Sequence, residues 1–179
     1  MSFQLTEDRI YLQPISLREV SERYVSWLND AETNKGLLAH AQAATLDSVR
    51  AYVEARITDP NTVMFAVFNK ENNEHIGNVK LDQFDRLAHT CEIGILIGEK
   101  SQWGKGIATE VMRAALKHAF NQLNIRKVLL AVYANNPAAI HLYEKLGFVH
   151  EGCLKEHVYA EGQFIDKHLM SLFARDFHL

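Results

Sequence analysis

Apolar and polar positions recur along this chain with two periods, and the changes of period mark its elements. Residues 9–12 alternate as a short opening strand. Residues 17–28 follow a helical period, with Ser16 as N-cap and Glu19 closing a capping box. Residues 46–57 predict a second helix, with Thr45 as N-cap and Ser48 in its first turn. Strand patterns follow over 63–68 and 75–84, joined by the polar stretch 69–74, and then over 88–97.

From Gly106 onward the period is helical again. Ile107, Val111, Ala115 and Ala119 recur every four residues, opposite a polar stripe of Glu110, Arg113, Lys117 and Asn121. So wide an apolar face predicts burial against a sheet. Residues 127–134 are nearly all apolar, as in a strand covered on both faces. A helix is then punctuated by Asn136 as N-cap, Pro137 at N1 and Gly147 as the C-terminal stop. Residues 148–158 and 164–173 close the chain as a hairpin about Ala160-Glu161-Gly162-Gln163. The succession predicts a mixed α/β (α+β) domain over residues 1–179, with about seven strands flanked by about four helices.

Composition narrows the function classes. The apolar share of 47% and charged share of 23% suit a globular protein, and a net charge of −3 gives no nucleic-acid footprint. That charge mildly permits a cationic substrate. No run approaches the ~20 apolar residues of a membrane span, and residues 1–8 lack a basic leader, so a cytoplasmic location is expected. Cys91 and Cys153 fit no metal or redox spacing, and nine scattered histidines form no ligand motif. The expectation is reduced thiols and no metal.

The most telling segment is Gln102-Trp103-Gly104-Lys105-Gly106-Ile107-Ala108-Thr109, a glycine turn between a strand and a helix. Such a turn presents bare backbone N–H groups to a phosphate. A P-loop is excluded, because Gly98 stands five residues before Gly104 and Gly106 takes the place of the Ser/Thr that binds Mg²⁺. The dinucleotide fingerprint is excluded too, since Thr109 stands where its third glycine or alanine belongs.

A third pattern fits. Trp103-Gly104-Lys105-Gly106-Ile107-Ala108 matches Arg/Gln-x-x-Gly-x-Gly/Ala apart from Trp103, and Asn136-Pro137-Ala138-Ala139-Ile140-His141-Leu142-Tyr143-Glu144-Lys145-Leu146-Gly147-Phe148 matches a second signature. In these two segments residues 75–173 resemble the GNAT superfamily of acetyl-CoA-dependent N-acetyltransferases. Within it the chain looks nearest to the branch of ribosomal-protein N-terminal, spermidine and nucleotide-amino-sugar acetyltransferases.

The resemblance implies a centrally splayed sheet and a CoA site. The pyrophosphate would rest on the amides of Gly104, Lys105, Gly106, Ile107, Ala108 and Thr109, with Trp103 and Asn136 as further cofactor-binding positions. Lys105 adds charge there or is simply solvated. Pantetheine would pair with the backbone of Ile95, Leu96 and Ile97. Gly94 marks either that splay or relief of crowding against a helix.

Two side chains carry the implied chemistry. Tyr143 would attend the departing thiolate, or else is simply core. A tyrosine near pKa ~10 donating to a thiolate near ~8.5 is uphill by about 2 kcal/mol, which favours hydrogen bonding over full proton transfer. Glu92, a carboxylate within an apolar strand, is either the base for the amine or half of an ion pair. No nucleophilic Ser or Cys constellation is present, so direct transfer in a ternary complex is expected.

The resemblance implies an amine acceptor: a polyamine, a nucleotide amino sugar or a protein N-terminus. Its recognition is expected from the first two helices, residues 34–44 and the last hairpin. Glu19, Glu22, Asp30 and Glu32 form either a polyamine-attracting or a merely solvated face, and Trp27 to Asp30 suit a sugar equally. A homo-oligomer is left open. The alternative to an enzyme is an acetyl-CoA sensor or interaction module without turnover, against which Glu92 and Tyr143 both speak.

Overall fold

The strand-forming runs assemble into one mixed sheet. The computed structural model describes residues 3–34, 43–160 and 162–178, and among these eight strands take part. They are β1 (Leu5–Thr6), β2 (Ile10–Pro14), β3 (Val63–Asn69), β4 (His75–Asp85), β5 (Thr90–Ile97), β6 (Lys127–Tyr133), β7 (Val149–Ala160) and β8 (Gln163–Phe173). Their order is β1-β2-β3-β4-β5-β6-β8-β7. Every neighbouring pair is antiparallel except β5 and β6. Five α-helices accompany them: α1 (Glu22–Asn29), α2 (Ala31–Asn34), α3 (Leu46–Thr58), α4 (Ile107–Asn121) and α5 (Pro137–Lys145).

Two elements differ from the sequence reading. The eighth strand is β1, whose two residues are too few to show a period; it exists because Leu5 and Thr6 find Leu12 and Tyr11 across the ladder. The helix expected over 17–28 is broken. A single 3₁₀ turn, Leu17–Glu19, carries the Ser16 capping box, Val20 is extended, and Ser21 then caps α1 by accepting from the Tyr24 amide. Two N-cap serines five positions apart start two helical segments in place of one.

Strand alternation sorts the core into two layers. Cys91 and Ile93 of β5 join Val79, Leu81, Val128 and Leu130 beneath α4, together with Val111, Met112 and Ala115. Tyr143 and Leu146 of α5 belong to the same buried cluster. On the other face Trp27, Val49, Val53, Met64 and Ala66 pack under α1 and α3, with Leu96 of β5 against them.

The polar stripe of α4 turns out to be tied inward. Glu110 is only 4% exposed and holds Arg9, while Arg113 and Lys117 both reach Glu7. Charged residues on a helix surface do not have to face water if an N-terminal strand brings opposite charges to them.

Candidate active site

The sheet opens where β5 and β6 part. They pair only at Thr90↔Lys127, Cys91↔Val128 and Glu92↔Leu129. Beyond that row β5 stays with β4 as far as Gly77↔Ile97, and β6 stays with β8 as far as Tyr133↔Lys167. Residues 93–97 therefore keep one ladder edge with no strand opposite. Backbone N–H and C=O groups on such an edge require partners, and an extended ligand with amide groups can supply them. Ile95, Leu96 and Ile97 all lie on this edge, half-buried.

Gly94 sits on the same edge in regular register with Lys80, so it is no bulge. A Cβ placed there would meet nothing within 4 Å among the described residues, so no described helix crowds it.

The glycine turn stands at the mouth of this wedge. A 3₁₀ turn, Lys100–Gln102, leads from β5 to Gly104 and Gly106, whose φ angles are +70° and +79°. Both are in the left-handed region that glycine enters without steric cost. Gly106 is the N-cap of α4 and has no side chain to satisfy the first amides. The Gly106 carbonyl accepts from the Thr109 and Glu110 amides at 3.1 and 3.3 Å. The amides of Gly104, Lys105, Gly106, Ile107 and Ala108 have no hydrogen-bond acceptor among the described residues. Five free N–H groups at the positive end of a 15-residue helix make an anion cradle.

Arg9 holds that turn in place, a role the sequence did not suggest. Its guanidinium donates to the Lys105 carbonyl at 2.7 Å, and its Nε reaches Glu110 Oε1 at 2.6 Å. The Arg9 backbone amide also donates to Glu110, at 3.0 Å. A buried carboxylate in the first turn of α4 thus positions an arginine from β2's approach against the glycine turn. Ninety-six residues separate Arg9 from Lys105, and no local signal links them.

Trp103, the departure from the signature, has a structural task. Its indole N–H donates to the Ile97 carbonyl at 2.8 Å, closing the end of the open edge. Lys105 is exposed, and Asn136 caps α5 by accepting from the Ala139 amide at 3.2 Å. At the end of β6, the Tyr133 hydroxyl and Asn135 Oδ1 are buried and make no hydrogen bond among the described residues.

Tyr143 and Glu92 differ sharply in environment. Tyr143 is 9% exposed, tilted against Phe148 at 5.9 Å, and its hydroxyl makes no hydrogen bond among the described residues. Burial pushes its pKa up to about 12. Glu92 is exposed, and among the described residues it has neither ion-pair nor hydrogen-bond partner. Its apolar neighbours do not bury it, because alternation sends Cys91 and Ile93 inward and Glu92 to the open face. Among the described residues the geometry offers Glu92 no ion-pair partner.

Of the acceptor elements, residues 35–42 lie outside the described residues. Both cysteines are free thiols, Cys91 buried and Cys153 half-buried. Among the described residues no cluster of His, Cys, Asp or Glu could hold a metal, and no helix is long and apolar enough to cross a membrane.

A wedge between parallel strands beside a glycine-capped helix is a strong architectural signature, and comparison with known proteins agrees with it. A family model described as an acetyltransferase (GNAT) domain matches residues 9–149. The chain belongs to the GNAT family. It is 30% identical over 169 residues to the spermidine N(1)-acetyltransferase of Escherichia coli K12, covering 94% of this chain and 88% of that protein. The Vibrio cholerae spermidine N(1)-acetyltransferase is 29% identical over 155 residues, covering 85% and 88%. A crystal structure of the Vibrio cholerae spermidine N-acetyltransferase in complex with CoA and spermine superposes with a TM-score of 0.86 at 25% identity, covering 95% of this chain and 98% of that one. The mixed, splayed sheet is thus the GNAT fold, and the chain is an N-acetyltransferase.

Proposed function

We propose that this GNAT protein transfers an acetyl group from acetyl-CoA directly to a primary amine within a ternary complex. The observation that carries the reading is the coincidence of the β5–β6 wedge with the five free amides of the glycine turn. One accepts an amide-bearing pantetheine arm along residues 95–97, the other a pyrophosphate at residues 104–108. Arg9 and Trp103 hold the turn to the sheet, and Asn136 starts the helix that delivers Tyr143 to the wedge.

The residues then divide the chemistry. Glu92, at the last paired row before the wedge, takes the proton of the attacking amine directly or through water. A backbone N–H on the open β5 edge polarises the thioester carbonyl, where negative charge develops. The amine nitrogen bonds to the acetyl carbon, the tetrahedral intermediate collapses, and the C–S bond breaks. The Tyr143 hydroxyl donates a hydrogen bond to the leaving thiolate.

The acceptor's own pKa sets the demand on the base. An amine near ~10.4 costs about 4.6 kcal/mol to deprotonate at pH 7, an α-amine near ~7.7 only about 1. Glu92→Gln should lower kcat/KM and remove the acidic limb of its pH profile while leaving the KM for acetyl-CoA unchanged. A profile identical to wild type would assign the base elsewhere.

The reading as a whole is tested in two steps. CoA should raise the melting temperature of the purified chain, by about 2.7 kcal/mol of stabilisation at a hundredfold excess over Kd. Acetyl-CoA should then release free thiol when an amine is supplied. Lack of any CoA shift rejects the site, whereas binding without turnover on any amine would favour a sensor.

A further inference from the structure

We infer that the acceptor amine also carries an oxyanion, a carboxylate or a phosphate, and that Lys80 and Asn78 receive it. This rests on the acetyltransferase reading above and names the substrate class of the same site.

β4 sends Asn78, Lys80 and Asp82 to the face on which β5 carries Leu96, Gly94 and Glu92, each directly across the ladder. Among the described residues, Gly94 leaves open space on that face. Lys80 therefore stands beside an unfilled gap, one row from Glu92, or about 7 Å along the strand. The Lys80 side chain is partly exposed and paired with Asp82 at 2.5 Å. An ammonium has three donors, so the pairing does not exhaust it.

Asn78 supplies the second donor. It is 3% exposed, and its Oδ1 lies 3.1 Å from His75 Nε2, which also lies 2.9 Å from the Gly77 carbonyl. A carbonyl oxygen only accepts, so Nε2 carries the hydrogen and Asn78 must meet it through Oδ1. Burial lowers the pKa of His75 and favours its neutral ring, which is consistent with a single N–H at Nε2. The Asn78 Nδ2 is left buried without a hydrogen bond among the described residues. A buried donor in that state carries a desolvation cost until an acceptor atom reaches it.

The face thus offers a cation and an unanswered N–H next to one open carboxylate. A protonated polyamine brings only donors and positive charge, so it cannot satisfy Asn78 or the remaining donors of Lys80. Three of the four carboxylates near α1 that would attract one are already engaged. Glu19 accepts from the Ser16 amide and hydroxyl at 2.7 and 2.8 Å, and Asp30 and Glu32 both hold Lys100, at 2.8 and 2.9 Å. A zwitterionic acceptor fits the pattern in both halves, its ammonium toward Glu92 and its oxyanion toward Lys80 and Asn78.

The test is thiol release from acetyl-CoA by the full chain with matched amines: glucosamine 6-phosphate against glucosamine, L-alanine against L-alaninamide, and spermidine. In at least one pair the anionic member should exceed both its neutral partner and spermidine by about tenfold or more in kcat/KM, the worth of one charge-assisted hydrogen bond. Which pair responds separates phosphate from carboxylate. Lys80→Gln should abolish the preference with the KM for acetyl-CoA unchanged, and Lys80→Arg should restore it; a merely structural lysine would instead slow all amines alike. Preference for spermidine, equal use within both pairs, or no turnover of any anionic probe by CoA-binding protein overturns the inference. Absence of a CoA thermal shift overturns the acetyltransferase reading first, and the two failures are thereby told apart.

Discussion

Replacing Gly106 with valine is expected to weaken CoA binding by about 100-fold, the loss of one or two charge-assisted amide–phosphate bonds. Two effects act together. At φ +79° a β-branched residue is strained whatever the surrounding space, at a cost of about 1–3 kcal/mol. A Cβ at this position also comes within 3.3 Å of the Arg9 guanidinium, the group that holds the turn through the Lys105 carbonyl. The turn must shift, and the free amides of residues 104–108 shift with it. Gly106→Ala, with the strain but less bulk, should fall between valine and wild type. Titration calorimetry with CoA measures the effect, and circular dichroism checks that the variant is folded. Wild-type affinity in a folded Gly106→Val protein would remove the pyrophosphate from this turn.

Removal of the Tyr143 hydroxyl should lower kcat by tenfold or more while the KM for acetyl-CoA barely changes. The environment makes the role narrower than general acid. With the phenol held near pKa 12 by burial, full transfer to a thiolate near ~8.5 would be uphill by about 5 kcal/mol. A hydrogen bond to the developing thiolate needs no such transfer, and a phenol without another partner is free to make it. Tyr143→Phe should leave the melting temperature near wild type, because the hydroxyl makes no hydrogen bond among the described residues and its removal leaves no partner stranded.

The pH dependence follows with its sign. A tyrosine raised in the folded state above ~10 stays neutral through the assay range, so the alkaline limb of the rate profile should not belong to it. Its linked contribution to stability is constant below pH ~10 and is lost as pH climbs from there through about 12. Full activity in Tyr143→Phe would return this residue to the core.

Local signals determined much of this protein before any folding was considered. Caps at Thr45 and Asn136, the glycine stop at Gly147 with φ +94°, and the two-residue alternation of β5 are all short-range, so they can be read from neighbouring letters. The spacing of Gly104 and Gly106 against a helix start likewise excluded ATP and dinucleotide cradles, since phosphate geometry constrains adjacent residues.

What tertiary structure alone decided involves distance or sidedness. The burial of Glu110 and the Arg9 clamp depend on β2 lying beside α4, a contact across about a hundred residues that no periodicity encodes. β1 exists only through its partner strand. Glu92 looked costly because its neighbours in sequence are apolar, yet exposure is set by which face of the sheet is left uncovered. The same is true of Lys80 and Asn78, which acquire meaning only once the ladder places them opposite Gly94 and Leu96. The glycine turn was legible because its chemistry is local, whereas the acceptor face is assembled from separate strands and the fold alone brings them together.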